Sequence, residues 1–353
     1  ALLSGNERQD EERRRDDIGY AIFNSLNRRR RALVLLPGEN AEAIAGPADE
    51  KVAVQQTPAG AMFHAEMPPV GYSVYRAAKK AGRAVGTSRV QAAGLEAENE
   101  YLRITVDGKS GGLSSIYDKE LDREMLDVSK MPGNEILVEE DAGNLWTVHK
   151  TGRSRRLGAG RSEVRLTESG PVRAAFEIRT SGKEMDCVRR VYLEAGSRHV
   201  DFETEIDFKA RDLRVSAVFE TQFSGQAVYE TPFYSEPRGP GHHCAQNWVD
   251  ISNGRRGLAV INSGNPGVEV ERNSIRLGLL RSVSMASPAL ARFVAKNTDK
   301  IARGVREAAG YLRRGLGLQL SEWALYDVHG LLLREWSGPG GPFSTTGAGG
   351  PPR

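Results

Sequence analysis

Apolar and polar residues alternate one by one along several stretches of this chain, the period of strands that bury one face. The clearest stretch is Glu98 to Lys119, ENEYLRITVDGKSGGLSSIYDK. Leu102, Ile104 and Val106 alternate with Tyr101, Arg103 and Thr105. Asp107-Gly108 and Gly111-Gly112 then supply residues that can reverse the chain, and Leu113 and Ile116 begin a return strand. A β-hairpin is predicted. Strand patterns recur at Glu163 to Leu166, Val172 to Arg179, Cys187 to Leu193, Val200 to Phe208 and Leu213 to Phe219, with turn residues between them. That spacing predicts an antiparallel sandwich, not strands alternating with helices.

Upstream, Ile18 to Leu36 turns apolar around an arginine cluster at Arg28 to Arg31 and reads as two short strands joined by a basic turn. Glu66 to Arg76, EMPPVGYSVYR, reads as a further strand entered through Pro68-Pro69. The fold class expected is mainly β: a small β-sandwich over residues 18–80, then a large antiparallel β-sandwich (supersandwich-like) over residues 95–288. Residues 81–94, small, basic and glycine-punctuated, read as an exposed linker. Residues 1–17 read as a charged linker or helix end. Residues 289–353 read as a basic, partly helical stretch ending in a low-complexity, poorly ordered tail. Gly133 to Gly152, GNEILVEEDAGNLWTVHKTG, reads as a strand, an acidic turn and an aromatic loop.

Composition narrows the function classes. The chain has 353 residues, 39% hydrophobic and 27% charged, enough for two or three domains with cores of their own. Its formal net charge is +3, and the basic clusters sit beside carboxylates, which argues against nucleic acid as a partner. Cys187 and Cys244 cannot form a disulfide framework and fit a reducing, cytoplasmic setting. No apolar run reaches membrane-spanning length, so no membrane partner is expected. The chain starts at Ala1 inside a charged segment and without a Met, so an upstream part is expected to be missing. The sequence leaves a homo-oligomer open.

Four groups of residues have types that could carry chemistry. Asp201, Glu203, Glu205 and Asp207 would project from one face of a strand, with Val200, Phe202, Ile206 and Phe208 on the other. Glycosidases use paired carboxyl groups, but facing each other across a sugar. Four in a row on one strand read as a solvated face paired with arginines such as Arg189 and Arg190. His242-His243-Cys244 has metal-ligand types without a second ligand pair, and reads as a loop with incidental ligands; no metal is assigned to this chain. Gln246, Asn247, Trp248 and Asp250 could bind a sugar, the indole stacking on the ring while the polar groups meet hydroxyls; Trp248 equally fits the sandwich core. Trp146 carries the same two readings. No phosphate-binding loop, dinucleotide fingerprint or nucleophile elbow is present, and no catalytic residue is assigned.

The wording of several segments is more specific than their pattern. ENEYLRITVD followed by LSSIYDKEL resembles the opening of the C-terminal β-domain of α-mannosidases of glycoside hydrolase family 38. Arg189 to Phe208 resembles the family's RITLYAGSRRIDFETEVDW-type segment, and Thr231 to Arg238 its PFG-x-x-ERP stretch. Ala245 to Val270 resembles its NWVDVSD…GLALLN segment, and Ile275 to Val283 the strand after it. AIFNSL (Ala21 to Leu26) matches the family's VFNSL strand, with Asn27 and arginines where Trp-Pro is expected. After Met285 the resemblance stops. It implies the C-terminal portion of a retaining α-mannosidase, with a zinc site in an N-terminal catalytic domain that this chain lacks. This part would then be inactive alone, bind no cofactor itself, pack against the catalytic domain, shape the substrate cleft and contact carbohydrate. A stand-alone carbohydrate-binding or structural β-sandwich module is the alternative.

Overall fold

The computed structural model describes residues 19–41, 43–78, 89–160 and 162–283. The expected charged segment 1–17, residues 81–88 of the linker and the tail 289–353 lie outside the described residues. The fold is mainly β, with several antiparallel sheets and no helix among the described residues. It comprises two compact units. Of the described residues, one takes those up to Leu137, Arg156–Lys209 and Ser216–Gly278; the other takes Val138–Arg155, Ala210–Val215 and 279–283.

Within the first unit, Gly19–Asn24 pairs with Gly71–Ala78, which also pairs with Ala43–Ala45. A second sheet orders Arg30–Pro37, Gly60–Met67 and Val54–Thr57. Leu36, Ile44, Phe63, Ala65 and Tyr75 form one apolar cluster drawn from both sheets, with the Phe63 and Tyr75 rings 5.0 Å apart. Burying a ring such as Phe63 contributes roughly 1.5–3 kcal/mol. Gln91–Ala93, inside the stretch read as linker, forms a short strand against Glu96–Glu98.

The hairpin predicted from Glu98 to Lys119 is present as Leu102–Val106 against Leu113–Asp118. Its turn needs glycine at position 111: φ is +71°, and a Cβ there would lie 2.2 Å from the Ile178 side chain. Asn99 fastens the start of this hairpin. Its amide nitrogen donates to the carbonyls of Glu194 (2.7 Å) and Ser197 (2.8 Å), while its oxygen accepts the N–H groups of Tyr101 and Leu102.

Four long strands, Ser162–Ser169, Arg173–Ser181, Met185–Glu194 and Val200–Phe208, form one sheet in that order, here the long-strand sheet. The two-residue period sorts Met185–Glu194 cleanly: Met185, Cys187, Arg189, Val191 and Leu193 are buried, and the residues between them are not. Arg189 thus turns away from the carboxylate row with which the sequence reading paired it. Its guanidinium donates to the carbonyls of Asn134 (2.7 Å) and Ser110 (2.8 Å). A buried cation is tolerable only when hydrogen-bonded and faced by an anion. Glu135, fully buried, is that anion; burial pushes the Glu135 carboxyl up and Arg189 down, and the charge of each opposes the other's shift.

The small sheets meet the edge of the long-strand sheet through polar contacts. Arg31 donates to the Ala195 carbonyl (2.7 Å), Gln55 accepts the N–H groups of Val172 and Arg173, and His64 Nε2 lies 2.9 Å from Glu194 Oε2.

In the second unit, the acidic residues read as a turn lie in a strand instead, Glu135–Asp141, which begins in the first unit. Two of them are buried and charge-paired: Glu139 stands 3.5 Å from Lys150 and 3.7 Å from Arg214, and Asp141 accepts from Arg281 Nε at 2.6 Å. Burial would raise Asp141, but Arg281 and the N–H groups of His149 and Gly143 hold its carboxyl below the usual range.

Candidate functional site

The short-strand sheet, in the first unit, runs Tyr234–Pro237, Gln226–Thr231, Trp248–Ser252 and Gly257–Ile261. Alternation again divides its faces. Ala227, Tyr229, Val249 and Ile251 point into a core shared with Val268, Val270 and Ile275. Burial raises the Tyr229 hydroxyl to about 12, although Arg238 pulls the other way.

Trp248 and Asp250 fall on the opposite face, and both are half-buried. The register sets Trp248 beside Ile261, which is 73% exposed, and Asp250 between Ala259 and Val228. Gln246 and Asn247, just before the strand, are exposed. Their backbones are fixed: the Gln246 N–H donates to the Glu230 carbonyl, and the Asn247 carbonyl accepts from the Asn262 N–H. The Asn262 side chain clasps the same segment, donating to the carbonyls of Gln246 (3.3 Å) and Asn265 (2.8 Å). The four residues therefore sit together on and just before a central strand whose entry is pinned, and Trp248 lies outside the apolar core formed by its neighbours Val249 and Ile251.

At one end of this sheet, Thr231 and Tyr234 pair across a two-residue turn. Pro232 presets its first central position, and Phe233 takes the second with φ +66°, a value that usually falls to glycine. Phe233 is fully exposed and Tyr234 largely so. These aromatics escaped the sequence reading because nothing local distinguishes a ring at a turn from one folded inward. Trp146, in the second unit, is 77% exposed, on a loop closed by Asn144, whose side chain accepts the N–H groups of Trp146 and Thr147.

The carboxylate row is a solvated, ion-paired face. Arg190 bonds Glu203 (3.1 Å) and Glu205 (2.7 Å), Lys209 reaches Asp207 (3.1 Å) and Asp186 (2.7 Å), and His199 stands 3.5 Å from Asp201. Neighbours on one strand cannot attack and protonate opposite sides of a glycosidic bond. His242-His243-Cys244 lies in a strand, Gly241–Cys244, rather than a loop. His242 pairs with Glu269 at 3.3 Å and His243 meets the Gly239 carbonyl at 2.9 Å. Among the described residues no three His, Cys, Asp or Glu side chains converge to hold a metal ion.

Comparison with known proteins agrees with this architecture. Residues 97–289 match the family model described as the glycosyl hydrolases family 38 C-terminal domain. Alpha-mannosidase G of Dictyostelium discoideum is 22% identical over 205 residues, and Alpha-mannosidase 2C1 of Mus musculus 26% identical over 203. Each match covers 52% of this chain and 19% of the relative, so the aligned part spans about a fifth of those proteins. A solved family 38 protein from Enterococcus faecalis superposes with a TM-score of 0.58 at 16% identity, over 75% of this chain and 41% of that one. An alpha-mannosidase from the same species gives 0.59 at 16% identity, over 75% and 40%; both are likenesses of fold. The chain belongs to glycosyl hydrolase family 38, and residues 97–289 are its C-terminal domain.

Proposed function

We propose that this chain is the β-rich C-terminal portion of a retaining α-mannosidase, and that it acts by packing against a catalytic domain and walling one side of its substrate cleft. The observation that carries this reading is one end of the short-strand sheet. Phe233 and Tyr234 at its turn and Ile261 on its outer face stand in solvent there, at the same end as half-buried Trp248. Exposed aromatic and aliphatic side chains gathered on one sheet mark an interaction surface more often than a free one. Hydrolysis and zinc belong, in this reading, to the catalytic domain, and no residue of this chain is given a catalytic role.

The test combines the purified chain with a separately produced family 38 catalytic domain and measures association and aryl α-mannoside hydrolysis. The chain alone is expected to be inactive with or without zinc, and the pair to associate. Phe233→Ser with Ile261→Ser is expected to weaken association about ten-fold, the loss of roughly 1.4 kcal/mol. Zinc-dependent hydrolysis by the chain alone would overturn the reading.

A second reading, direct sugar contact, is favoured by Trp248 and Asp250 sharing a face next to Gln246 and Asn247. Mannoside binding that survives Trp248→Ala unchanged removes it.

A further inference from the structure

The turn of the 102–118 hairpin, the segment around Val128–Lys130 with Pro132, and the start of the Arg156–Gly160 segment line a cavity of about 470 Å³ in the first unit. Lys109, Lys130 and Arg156 bring three cations to it, against one lining carboxylate, Asp107. That carboxylate is committed to the turn, where its Oδ1 accepts the backbone N–H groups of Lys109 (2.6 Å) and Ser110 (3.1 Å). Ser114 gives its hydrogen to the Thr105 carbonyl, so the cations dominate the wall.

Those cations keep donors to spare. Arg156 gives one long hydrogen bond, 3.4 Å, to the Lys130 carbonyl, which leaves most of its five N–H groups. Lys130 lies 3.6 Å from Glu220 with its own side chain 63% exposed. No ion pair engages Lys109 among the described residues. The floor is rigid, because the Ser110 carbonyl is held from below by Arg189 (2.8 Å) and from the side by the Ser162 hydroxyl (2.7 Å). A pre-ordered concavity lined with excess positive charge selects an anion by charge and shape together. Three cations in one cavity, with no aromatic ring among them, are too few for a nucleic-acid track. They do match the charge of a single dianionic group.

We propose that this cavity binds a phosphate or sulfate dianion, free or carried as an ester on a sugar. Its volume lies within the roughly 300–1,000 Å³ typical of small-molecule pockets, so a tetrahedral group and an attached ring both fit. The proposal uses no residue of the short-strand sheet and stands apart from the mannosidase reading.

Titration calorimetry on the full chain at low ionic strength tests it, with inorganic phosphate, inorganic sulfate, mannose 6-phosphate and mannose as probes. The three anions are expected to bind, and Lys109→Gln with Lys130→Gln to weaken them about ten-fold or more. Both lysines are exposed, but Lys130 also faces buried Glu220, so Lys109→Gln alone is measured beside the double variant and is expected to weaken binding several-fold. Tighter binding of mannose 6-phosphate than of inorganic phosphate supports an esterified ligand; equal affinities support the free ion. Anion binding that is absent, or unchanged in the double variant, overturns the proposal. So does mannose binding as tightly as its phosphate.

Discussion

The long-strand and short-strand sheets share one rule of alternation and use their outer faces in opposite ways. On the first, the outward carboxylates are paired with Arg190, Lys209 and His199, and the inward face seals around one buried cation, Arg189. On the second, the inward face is an ordinary apolar core, while Ile261 on the outward face and Phe233 and Tyr234 at the end of the sheet stand in water. The two sheets meet their requirements in different places. The long-strand sheet satisfies its charges within the chain. The short-strand sheet satisfies its core and leaves apolar side chains in water, the feature on which the proposed docking rests.

The largest test of this contrast is Arg189→Met. It strips the donors from the Ser110 and Asn134 carbonyls and leaves Glu135 buried without its cation, so urea denaturation should record a loss of about 3–5 kcal/mol. Adding Glu135→Gln should recover part of it by removing the stranded charge. Arg190→Met, one residue along but on the solvated face, should cost less than about 1 kcal/mol, and less again in high salt. Equal losses for the two arginines would erase the distinction between the sheet's faces.

A smaller effect is expected at the edge where the small sheets meet the long-strand sheet. Burial would raise Glu194, but the hydrogen bond from His64 and the charges of His64 and Arg173 outweigh it and hold the carboxyl below its ordinary 4.5. A depressed carboxyl stabilises the fold above the unfolded value and loses that contribution as pH falls through the folded one. Glu194→Gln should therefore cost about 1–2 kcal/mol near neutrality and almost nothing well below pH ~4. Melting curves across that range check the sign.

The smallest change sharpens the other side of the comparison. Phe233→Gly relieves a left-handed backbone and removes no buried contact, so it should raise the melting temperature slightly, by less than about 1 kcal/mol in stability. The same variant should bind the catalytic domain less well. A marked loss of stability would mean that the ring serves this fold, not a partner.

Much of this was legible in the sequence. The hairpin of Leu102–Val106 and Leu113–Asp118 and the strands Ser162–Ser169 and Met185–Glu194 follow from alternation, because a residue's face depends only on its parity; Leu213–Glu220, buried on both faces, follows from its apolar run instead. Parity also carried a signal that the two adjacent arginines obscured. Arg189 shares its parity with Cys187, Val191 and Leu193, so an inward charge was readable there. Its partner was not, because Glu135 lies far along the chain and only tertiary closure brings it near. The cavity was invisible for the same reason: Lys109, Lys130 and Arg156 come from three separate segments. Gln246, Asn247, Trp248 and Asp250 were readable as neighbours, whereas the exposed Phe233 was not.

Asn99 carries a consequence for how this molecule ages. An asparagine deamidates when its side-chain carbonyl swings onto the backbone nitrogen that follows it, and here four hydrogen bonds hold that amide still. Conversion should therefore proceed only in molecules that have opened. The resulting carboxylate would face the carbonyls of Glu194 and Ser197 with no hydrogens to offer them, so such a chain would refold poorly. One atom exchanged at residue 99 would make each excursion out of the native state harder to reverse, and a mass shift at that position would count them.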